Sequence, residues 1–491
     1  MPVNKDFYML AGSSGQSTGY TIDQSIRFND NDSAYMHRTP SSGGNRDKWT
    51  WSAWVKRGEL TDANATMFHS GDDSDTSNYN QILFNGNSGG APTLKFNSVI
   101  GGSTVLNLAT TQYFRDVSAW YHIVVIYDSG NAISSDRARI YLNGARITSF
   151  GTETYPTQNQ DLMTNHTVKH SIGRRNLDTS RYMDGYMTDI HLLDGYAYGP
   201  EYFGEFDDYD NWIPKQYSGS YGTNGFKIDG RDSSDLGDDE SGNGNDYTTS
   251  GLAANDQVSD SPTNNFPTFN SIYADVSGIN SVTLANGNLQ GTGTSGQFDH
   301  KTATFNLPQS GKWYFEYYLG GLYTGFGICI VGQEGSITGG YGLGNLSTSQ
   351  GFGYQNNSIY NGSGQTTDFG LGNRSAGDIM SAAFDIDNDK VYIGINNTYI
   401  AADGGNDGNP SSGANPTVTT SFSLSTNDII IGFYLSSSSS ATYLNCGQEG
   451  TFGGNKTAGG NSDANGIGNF LYSVPTNYLA ICSKNLFSSG G

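Results

Sequence analysis

Three aspartates in one short polar stretch are the first residues of this sequence whose types and spacing could do chemistry. Asp72, Asp73 and Asp75 occur within HSGDDSDTSN, which has the composition of a loop. A calcium ion takes six to eight oxygen ligands, and clustered carboxylates in a loop supply them. The three residues are therefore a candidate calcium site, and an ordinary solvated loop is the alternative. Calcium is the only cofactor for which the sequence gives a reason.

Two further acidic stretches contain closely spaced aspartates, but neither has the sequence pattern of a calcium-binding loop. Asp385, Asp387 and Asp389 alternate like half of a calcium loop, but Lys390 follows where that loop requires Gly. We expect a hairpin tip there. Residues 229–246, DGRDSSDLGDDESGNGND, lack the twelve-residue D-x-D-x-D-G loop with its closing Glu, so we expect a solvated turn region.

Exposed rings suggest a second kind of chemistry, and the stretch KWTWSAWVKR from residue 48 to 57 carries the first of them. The stretch alternates, which places Trp49, Trp51, Ala53 and Val55 on one face of a strand and Thr50, Ser52, Trp54 and Lys56 on the other. The first face suits a core, whereas Trp54 could stack on a flat ligand such as a sugar. Tyr196 and Tyr198 are two more candidate ligand-binding rings. For all three, burial under a neighbouring loop is the alternative.

The composition predicts that strands, and not helices, position these residues. The chain has 491 residues, with 67 Gly, 32 Tyr, 24 Phe and only 12 Pro, and much of the rest is Ser, Asn and Thr. Such a composition is typical of short strands joined by tight turns. No window of a dozen residues has good helical periodicity. A chain of this length is too long for one core, so we predict an all-β protein of two or three domains.

The formal net charge of −22 at pH 7 excludes several partners. Nucleic acid attracts Lys and Arg to its phosphates, and an anionic membrane surface does the same, so neither is expected to bind this chain. Nothing in the sequence approaches a transmembrane span, so no membrane insertion is expected. A strongly acidic surface favours solubility at high copy number.

The cysteines and the first residues indicate where the protein is made. Cys329, Cys446 and Cys482 lie far apart among apolar residues, without the spacing of a zinc or redox motif. We predict buried thiols in a protein made in a reducing cytoplasm. The apolar run FYMLA near the first residues is too short for a signal peptide.

Residues 21–215 are predicted to form the first domain, with about ten short strands separated by polar turns. TIDQSIRFN, KWTWSAWVKR and WYHIVVIYDS are among them, and ARIYLNGARIT is a hairpin. Asn143-Gly144 in that hairpin gives the positive φ that a two-residue turn needs. Strands of this number and spacing predict an antiparallel β-sandwich of jelly-roll type.

The first domain resembles a known family. The order WTWSAWVK, WYHIVVIYD, RIYLNGARI, SIGRR and YMDGYMTDIHLLDGYAY resembles the concanavalin A-like, laminin G-like sandwich. Members of that superfamily often bind sugars or proteins, and some are glycosidases. The resemblance therefore implies a sugar- or protein-binding sandwich.

The carboxylates of this domain argue against the glycosidase alternative. Glycoside hydrolysis needs two carboxylates about 5 Å or about 6.5–9.5 Å apart across a groove. Laminarinase-like enzymes of this fold carry them on one strand as E-x-D-x-x-E, and that triplet does not occur here. None of the glutamates at positions 59, 153, 201 and 205 is spaced in that way. We expect no enzymatic activity.

Two segments outside the predicted domains have distinct compositions. Residues 1–20 are short on apolar periodicity, and we interpret them as an N-terminal arm that could dock the protein to a larger particle. A frayed terminus is the alternative. Residues 216–265 are acidic and Gly-rich, and SDSPTNNFPT, with its two prolines, ends them. We predict a linker there.

Residues 266–491 are predicted to form a second antiparallel sandwich. GKWYFEYYL places Trp313, Phe315, Tyr317 and Leu319 on one face of a strand. Together with GFGI, the hairpin of GDIMSAAFDIDNDKVYIGINN and the final PTNYL, this order resembles a SPRY domain. SPRY domains bind partners through loops and have no common catalytic residues. The Gly- and Ser-rich sequence departs from the family and leaves its usual binding surface open.

The fold class is therefore all-β, with two tandem antiparallel β-sandwiches, one jelly-roll and laminin G-like, the next SPRY-like. This combination resembles virion structural proteins of marine tailed bacteriophages, such as tail fibres and capsid appendages. The resemblance implies a virion location, homo-oligomers on symmetric sites, other virion proteins as partners, and host cell-surface glycan as a ligand.

Two alternatives stay open at this point. One is a decoration protein that coats a capsid or tail and binds no ligand, for which large apolar contacts between subunits are expected. The other is a polysaccharide depolymerase, which requires an ordered carboxylate pair in a groove. An open aromatic patch would instead favour the glycan-binding hypothesis.

Overall fold

The computed structural model describes residues 19–58, 60, 64–86, 92–178, 181–272, 282–293, 298–321, 324–331, 351–355, 358–361, 364–368, 375–436 and 441–488. The chain divides after residue 263 into two compact units, and each is built of antiparallel sheets. The predicted all-β class is confirmed. The predicted N-terminal arm lies outside the described residues except for positions 19 and 20. No helix in the described ranges is both long and apolar enough to cross a membrane.

The strands of the first unit agree closely with the alternating stretches of the sequence. They are β1 (Ser25–Phe28), β2 (Tyr35–Arg38), β3 (Lys48–Arg57), β4 (Asn64–Ser70), β5 (Tyr79–Asn85), β6 (Thr93–Ile100), β7 (Ser103–Tyr113), β8 (Trp120–Asp128), β9 (Ala138–Leu142), β10 (Ala145–Arg146), β11 (Phe150–Thr154), β12 (His170–Ile172), β13 (Gly185–Asp194), β14 (Gly204–Phe206), β15 (Trp212–Pro214), β16 (Phe226–Ile228), β17 (Thr248–Ser250) and β18 (Gln257–Val258). The Asn143-Gly144 turn between β9 and β10 has φ values of 46° and 80°, as predicted.

Two sheets of this unit form a sandwich. Sheet A has the order β10-β9-β8-β3-β13-β1-β18, with β16 also paired to β13, and sheet B has the order β11-β7-β6-β5-β4-β12-β2-β17. Trp49 and Trp51 of β3 point into the core between the sheets, where they contact Phe96 and Phe68 of sheet B. The inward face predicted for β3 is therefore confirmed. β14 and β15 form a separate hairpin.

The segment predicted as a linker is instead folded into the first unit. β16 pairs with β13, β17 with β2, and β18 with β1, while Leu236 and Tyr247 lie in the core. The acidic residues in between cap their own turns. Asp239, for example, accepts hydrogen bonds from the backbone nitrogens of Lys227, Ser241 and Asn245. Strands of two or three residues give almost no periodic signal, which is why the sequence pattern missed them.

Two buried ion pairs also connect this segment to sheet A. Lys56 Nζ lies 2.7 Å from Asp260 Oδ2, and both side chains are fully buried. Arg27 donates to Asp256 Oδ1 at 3.0 Å. Because each cation lies on a central strand, the segment supplies counter-charges that the strands need.

The two ends of each unit lie side by side. The backbone nitrogen of Ile22 donates to Thr263 Oγ1 at 3.1 Å, and that hydroxyl donates to the Ile22 carbonyl at 2.6 Å. In the second unit, the backbone nitrogen of Asn265 donates to Ser483 Oγ at 2.9 Å. Within the described residues, the first and last segments of each unit are therefore hydrogen-bonded to each other.

The second unit contains fifteen described strands and one short helix. They are β19 (Val282–Ala285), β20 (Gln290–Gly293), β21 (Phe298–Leu307), β22 (Lys312–Tyr318), β23 (Gly325–Ile330), β24 (Gly351–Gln355), β25 (Ser358–Asn361), β26 (Gly364–Asp368), β27 (Ile379–Asp385), β28 (Lys390–Ile395), β29 (Thr398–Ile400), β30 (Val418–Thr419), β31 (Ile429–Ser436), β32 (Thr442–Asn445), β33 (Leu479–Ala480) and α1 (Ser483–Ser488). Sheet C runs β19-β20-β32-β22-β27-β28-β29, with β30 on β28 and β33 on β22, and sheet D runs β21-β31-β23-β24-β25-β26.

Aromatic side chains join sheets C and D. Phe315 and Tyr317 of β22 contact Phe433 of β31, and Phe315 also meets Phe326 of β23. The predicted inward face of GKWYFEYYL is confirmed. All three cysteines are buried thiols outside any disulfide, as predicted.

The acidic tip between β27 and β28 is a hairpin, as predicted. Asp389 has a φ of 54°, and its Oδ1 accepts a hydrogen bond from the backbone nitrogen of Leu424 at 2.6 Å.

Candidate functional site

The first candidate ring, Trp54, is buried and not exposed. Its side chain is 3% accessible and stacks on the His122 ring, with centroids 4.7 Å apart. The alternation that puts Trp54 opposite the core is correct, but segments far away in the sequence cover the outer face of sheet A. A buried ring cannot meet a sugar, so the prediction that Trp54 binds ligand is wrong on this geometry.

His122 and Ser52 lie at hydrogen-bond distance beneath this cover, but they are not arranged as a nucleophile and its base. Trp212 Nε1 donates to His122 Nδ1 at 2.9 Å, which leaves the proton of the neutral ring on Nε2. His122 Nε2, 2.9 Å from Ser52 Oγ, then donates to that hydroxyl and cannot take its proton. Burial lowers the pKa of His122 to about 3, which keeps the ring neutral.

The cover over this part of sheet A is the hairpin β14–β15, and Trp212 anchors it. The Trp212 ring stacks on His122 and meets Phe206 edge to face. Gly144 and Gly204 leave room for it, because a Cβ at either position would lie about 2.5 Å from ring atoms. The hairpin is therefore fixed to the sheet by one large side chain fitted between two glycines.

Tyr196 and Tyr198, the other two candidate rings, belong to a stack of three tyrosines. Tyr198 is parallel to Tyr202, with centroids 4.3 Å apart, and Tyr196 lies 5.3 Å from Tyr198. Thr50 holds the backbone beneath them: its Oγ1 donates to the Tyr196 carbonyl and accepts from the Tyr198 nitrogen. Tyr196 and Tyr198 are half-buried, whereas Tyr202 is 43% exposed.

Two further rings on the same segment face solvent. Phe206 is 58% exposed and Tyr209 is 76% exposed, at the tip of the β14–β15 hairpin. Asp207 orders that tip by accepting hydrogen bonds from the backbone nitrogens of Tyr209 and Asn211. We call residues 196–212 the ring segment, whose solvent-facing rings are Tyr202, Phe206 and Tyr209.

The sequence pattern missed these three exposed rings. The phrase YAYGPEYFGEFDDYDNW, from 196 to 212, contains seven aromatic residues without regular alternation. Aromatic density in a stretch that is neither strand-like nor helical is the signal that could have found them.

The predicted calcium residues do not converge on an ion. Asp73 pairs with Lys169 and Arg174, and Asp75 caps the backbone nitrogens of Ser77 and Asn78. Asp72 accepts from the backbone nitrogen of Lys169. Within the described residues, no group of three or more His, Cys, Asp or Glu side chains could hold a metal ion.

The most polar buried cluster of the first unit lies around Asp189 on β13. His191 Nε2 is 3.2 Å from Asp189 Oδ2, and Tyr20 donates to Asp189 Oδ1 at 2.8 Å. Burial alone would raise the pKa of Asp189. The charges of His191 and Lys227, together with the hydrogen bonds, have a larger effect in the opposite direction, so the pKa of Asp189 lies well below its usual range. The carboxylate is 1% exposed and already partnered, so it suits structure better than chemistry.

Comparison with known families agrees with the fold of the first unit. Residues 29–198 match the model of the concanavalin A-like lectin/glucanases superfamily. These residues therefore form a concanavalin A-like domain, as the sequence order implies. No curated protein matches the chain.

Several solved structures are similar to this chain, all at low identity. A SAP-like pentraxin from Limulus polyphemus is 14% identical over 36% of this chain and 78% of its own, with a TM-score of 0.26. Domain 4 of the Geobacillus stearothermophilus arabinanase AbnA, solved with arabinotriose, is 17% identical over 32% and 65%, with a TM-score of 0.24. The SPRY domain of human HERC1 is 17% identical over 33% and 91%, with a TM-score of 0.23. At these scores the likeness carries no functional argument.

Proposed function

We propose that the first sandwich binds carbohydrate through the ring segment and does not cleave it. The observation that carries this proposal is the Tyr198–Tyr202 stack, whose outer ring Tyr202 is exposed and whose backbone at Tyr198 is held in place by Thr50. Rings with fixed positions can pack on the apolar face of a sugar without a large cost of ordering. The concanavalin A-like fold supports the proposal at the level of the superfamily, which includes both lectins and glucanases.

The charge around the rings favours an uncharged saccharide. Five carboxylates lie on or beside the ring segment, at positions 201, 205, 207, 208 and 210. Lys215 is close to one of them, with Nζ 3.6 Å from Glu205 Oε2. An acidic polysaccharide would meet like charge there, whereas a neutral one would not.

Binding without cleavage is proposed because the sequence lacks the E-x-D-x-x-E triplet and two buried carboxylates of the first sandwich already have protein partners. Asp194 accepts from the backbone nitrogens of Asn45 and Asn224, and Asp260 pairs with Lys56. A glycosidase requires a carboxylate pair that faces the substrate. Glu59, one of the residues considered from the sequence, lies outside the described residues.

We further propose that the protein is displayed in many copies on the particle of a tailed bacteriophage, as the sequence resemblance implies. Its partners would be further copies of itself, other virion proteins and host cell-surface glycan. Display in many copies would raise the apparent affinity of a weak site by about 10²- to 10⁴-fold. Mass spectrometry of purified particles tests this location, and the absence of the chain from particles would contradict it.

The test of binding is retention on immobilised neutral polysaccharide of the host surface, together with an assay for new reducing ends. Tyr202→Ala and Tyr209→Ala should each weaken retention by about tenfold, since each removes an exposed ring. Tyr113→Ala is the matched control, because Tyr113 is 55% exposed but lies on β7, outside the ring segment.

Retention without new reducing ends supports the proposal if only the ring-segment variants weaken it. New reducing ends would favour the depolymerase alternative. An absence of both signals would favour a structural decoration protein and would contradict the proposed function.

A further inference from the structure

The outer face of sheet B carries a row of polar side chains that runs from strand to strand. Its six central members are directly opposed in register: His37, Ser171, His69, Gln81, Asn97 and Asn107. A threonine on each edge strand continues the row. Directly opposed residues share one face of a sheet, and the sequence neighbours Ile82, Phe96 and Leu108 lie in the core. The row therefore faces away from the core.

One half of this row is covered by protein, and the other half comes to the surface. Ser171 donates to Asn176 Oδ1 at 2.6 Å, and Arg174 lies over the Tyr35 ring at 4.0 Å, so the segment after β12 closes that half. Gln81 and Asn97 are more than nine-tenths buried, whereas Asn107 is half-buried. The accessible end of the row is thus on β6, β7 and β11.

The amides at this end have oxygen atoms without donors. Gln81 Nε2 donates to Asn97 Oδ1 at 2.9 Å, but Gln81 Oε1 and Asn107 Oδ1 are buried without a hydrogen bond from any described residue. A buried polar atom without a hydrogen-bond partner destabilises the folded state. Both oxygens are closed to solvent, so a ligand hydroxyl reaches only that of Asn107, after the half-buried Asn107 side chain turns outward.

Two cations lie beside the same amides. Lys95 precedes Asn97 by two residues on β6 and so shares its face, and the Arg181 side chain is close enough to Lys95 for the two charges to interact. Neither side chain forms an ion pair in the part of the chain that the structure describes. Burial, and then the charge of Arg181, lower the pKa of Lys95. Arg175 and Asp178 also act on Arg181, but these two residues pair with each other, which leaves the charges of Lys95 and Arg181 in excess among the described residues.

We define the basic amide site by five residues: Gln81, Lys95, Asn97, Asn107 and Arg181. We propose that this site binds a hydroxyl-rich anion, namely the uronate or sulfated unit of an acidic polysaccharide. The anionic group would neutralise the two cations, and a ring hydroxyl would donate to the Asn107 oxygen. A neutral sugar lacks the first interaction, and a simple inorganic anion lacks the second. The site lies on the other sheet from His122 and Trp212 and does not depend on the proposed function.

The experiment measures binding of the full chain to polygalacturonate, dextran sulfate and neutral dextran. We expect binding to at least one of the two anionic polymers and at least tenfold weaker binding to dextran. Lys95→Gln should weaken the anionic interaction by about tenfold, as expected when one charge-assisted hydrogen bond is lost. Asn107→Ala, at a half-buried position, is a second variant that is less disturbing to the sheet.

Lys48→Gln is the matched control, because it removes the same charge from an exposed position on sheet A. Circular dichroism and thermal unfolding verify that each variant is folded. Preference for polygalacturonate assigns the carboxylate source, and preference for dextran sulfate assigns the sulfate source.

Three results would overturn the site. In the first, the protein binds neither anionic polymer. In the second, Lys48→Gln weakens binding as much as Lys95→Gln does. In the third, Lys95→Gln and Asn107→Ala both bind as well as the unchanged protein. Because the protein is strongly acidic, non-specific attraction of polyanions is not expected to mimic the result. Tyr202→Ala, which tests the ring segment, should leave this binding unchanged, so the two proposals can fail separately.

Discussion

Glu316, in the middle of β22, connects a central strand to a distant segment of the second unit. Its carboxyl group accepts hydrogen bonds from the backbone nitrogens of Leu471 and Tyr472, both at 2.8 Å, and from the Tyr314 hydroxyl at 3.0 Å. Burial raises the pKa of Glu316 to about 7, although these hydrogen bonds act in the opposite direction. The group therefore changes its charge near neutral pH inside the protein.

This pKa predicts a pH dependence of stability. An acid with a raised pKa in the folded state stabilises the fold below its unfolded pKa, and the stabilisation is lost as the pH rises through the folded value. For Glu316 the pKa rises from 4.5 to about 7. At about 1.4 kcal/mol per unit, the loss between about pH 4.5 and about pH 7 is about 3 kcal/mol.

Urea unfolding at about pH 5 and about pH 8 measures the effect, with Glu316→Gln as the comparison. The glutamine does not titrate, so the variant should lose much of the pH dependence. It should also be less stable at pH 5, because its amide nitrogen would face a backbone N–H. An unchanged pH dependence in the variant would assign the effect to other groups.

The Lys56–Asp260 pair gives a second prediction for single residues. Trp120 Nε1 donates to Asp260 Oδ1 at 3.1 Å, so both oxygens of this buried carboxylate have a hydrogen-bond donor. Asp260→Asn leaves a buried ammonium group without its counter-charge, which should cost about 3–5 kcal/mol of unfolding free energy. Asp128→Asn is the control, since the Asp128–Lys48 pair is partly exposed and should contribute less than about 1 kcal/mol. Similar losses in the two variants would contradict a special role for burial.

Among the secondary-structure elements, the β14–β15 hairpin depends on a turn between two other strands. Gly144 of the β9–β10 turn has a φ of 80°, and a Cβ there would lie 2.6 Å from the Trp212 ring. Gly144→Ala should therefore combine backbone strain of about 1 kcal/mol with a steric cost of about 1–3 kcal/mol. Displacement of Trp212 should also shift the tryptophan fluorescence and weaken neutral glycan retention.

Gly102→Ala separates these two contributions. Gly102 has a φ of 78°, close to that of Gly144, but a Cβ there would meet nothing within 4 Å. It should show the strain alone, with unchanged fluorescence and retention. If both variants behave alike in unfolding and fluorescence, the contact with Trp212 does not secure the hairpin.

The elements could be predicted wherever one strand face is buried and the strand is long. The alternation of β3 predicted its core residues, Trp49 and Trp51, because side chains of a strand point to opposite faces with a period of two. The same alternation could not predict the burial of Trp54. Its cover, Trp212, lies far along the chain, and nothing local to β3 encodes it.

The short strands, the polar row on sheet B and the exposed tyrosines were harder to predict. β16, β17 and β18 have three residues or fewer, so their pairing is set by partner strands and not by local periodicity. The polar row on sheet B depends on register across many strands, and register does not follow from any one strand alone. Tyr196 and Tyr198 are candidate rings from the sequence alone, whereas the exposure of Tyr202 and Tyr209 follows only from the folded segment.

At the scale of the whole molecule, the first unit ends at residue 263 and not at residue 215, and this difference predicts how shortened chains behave. A chain that ends at residue 263 keeps β16, β17, β18 and both buried ion pairs, so it should fold as a cooperative unit. A chain that ends at residue 215 loses these strands and also Asp260, the counter-charge of the buried Lys56. It should lack a cooperative thermal transition, which circular dichroism and calorimetry can measure. Equal stability of the two chains would restore the linker interpretation.

The adjacent ends of each unit have a consequence for how such a protein changes over time. Since Ile22 and Thr263 are hydrogen-bonded to each other, the chain enters and leaves the first sandwich at neighbouring points. Domains with neighbouring termini tolerate transfer into a surface loop of another protein, because the host backbone has only a short gap to span. The position of its two ends therefore suits the first sandwich to exchange between proteins as one piece, by recombination on either side of it.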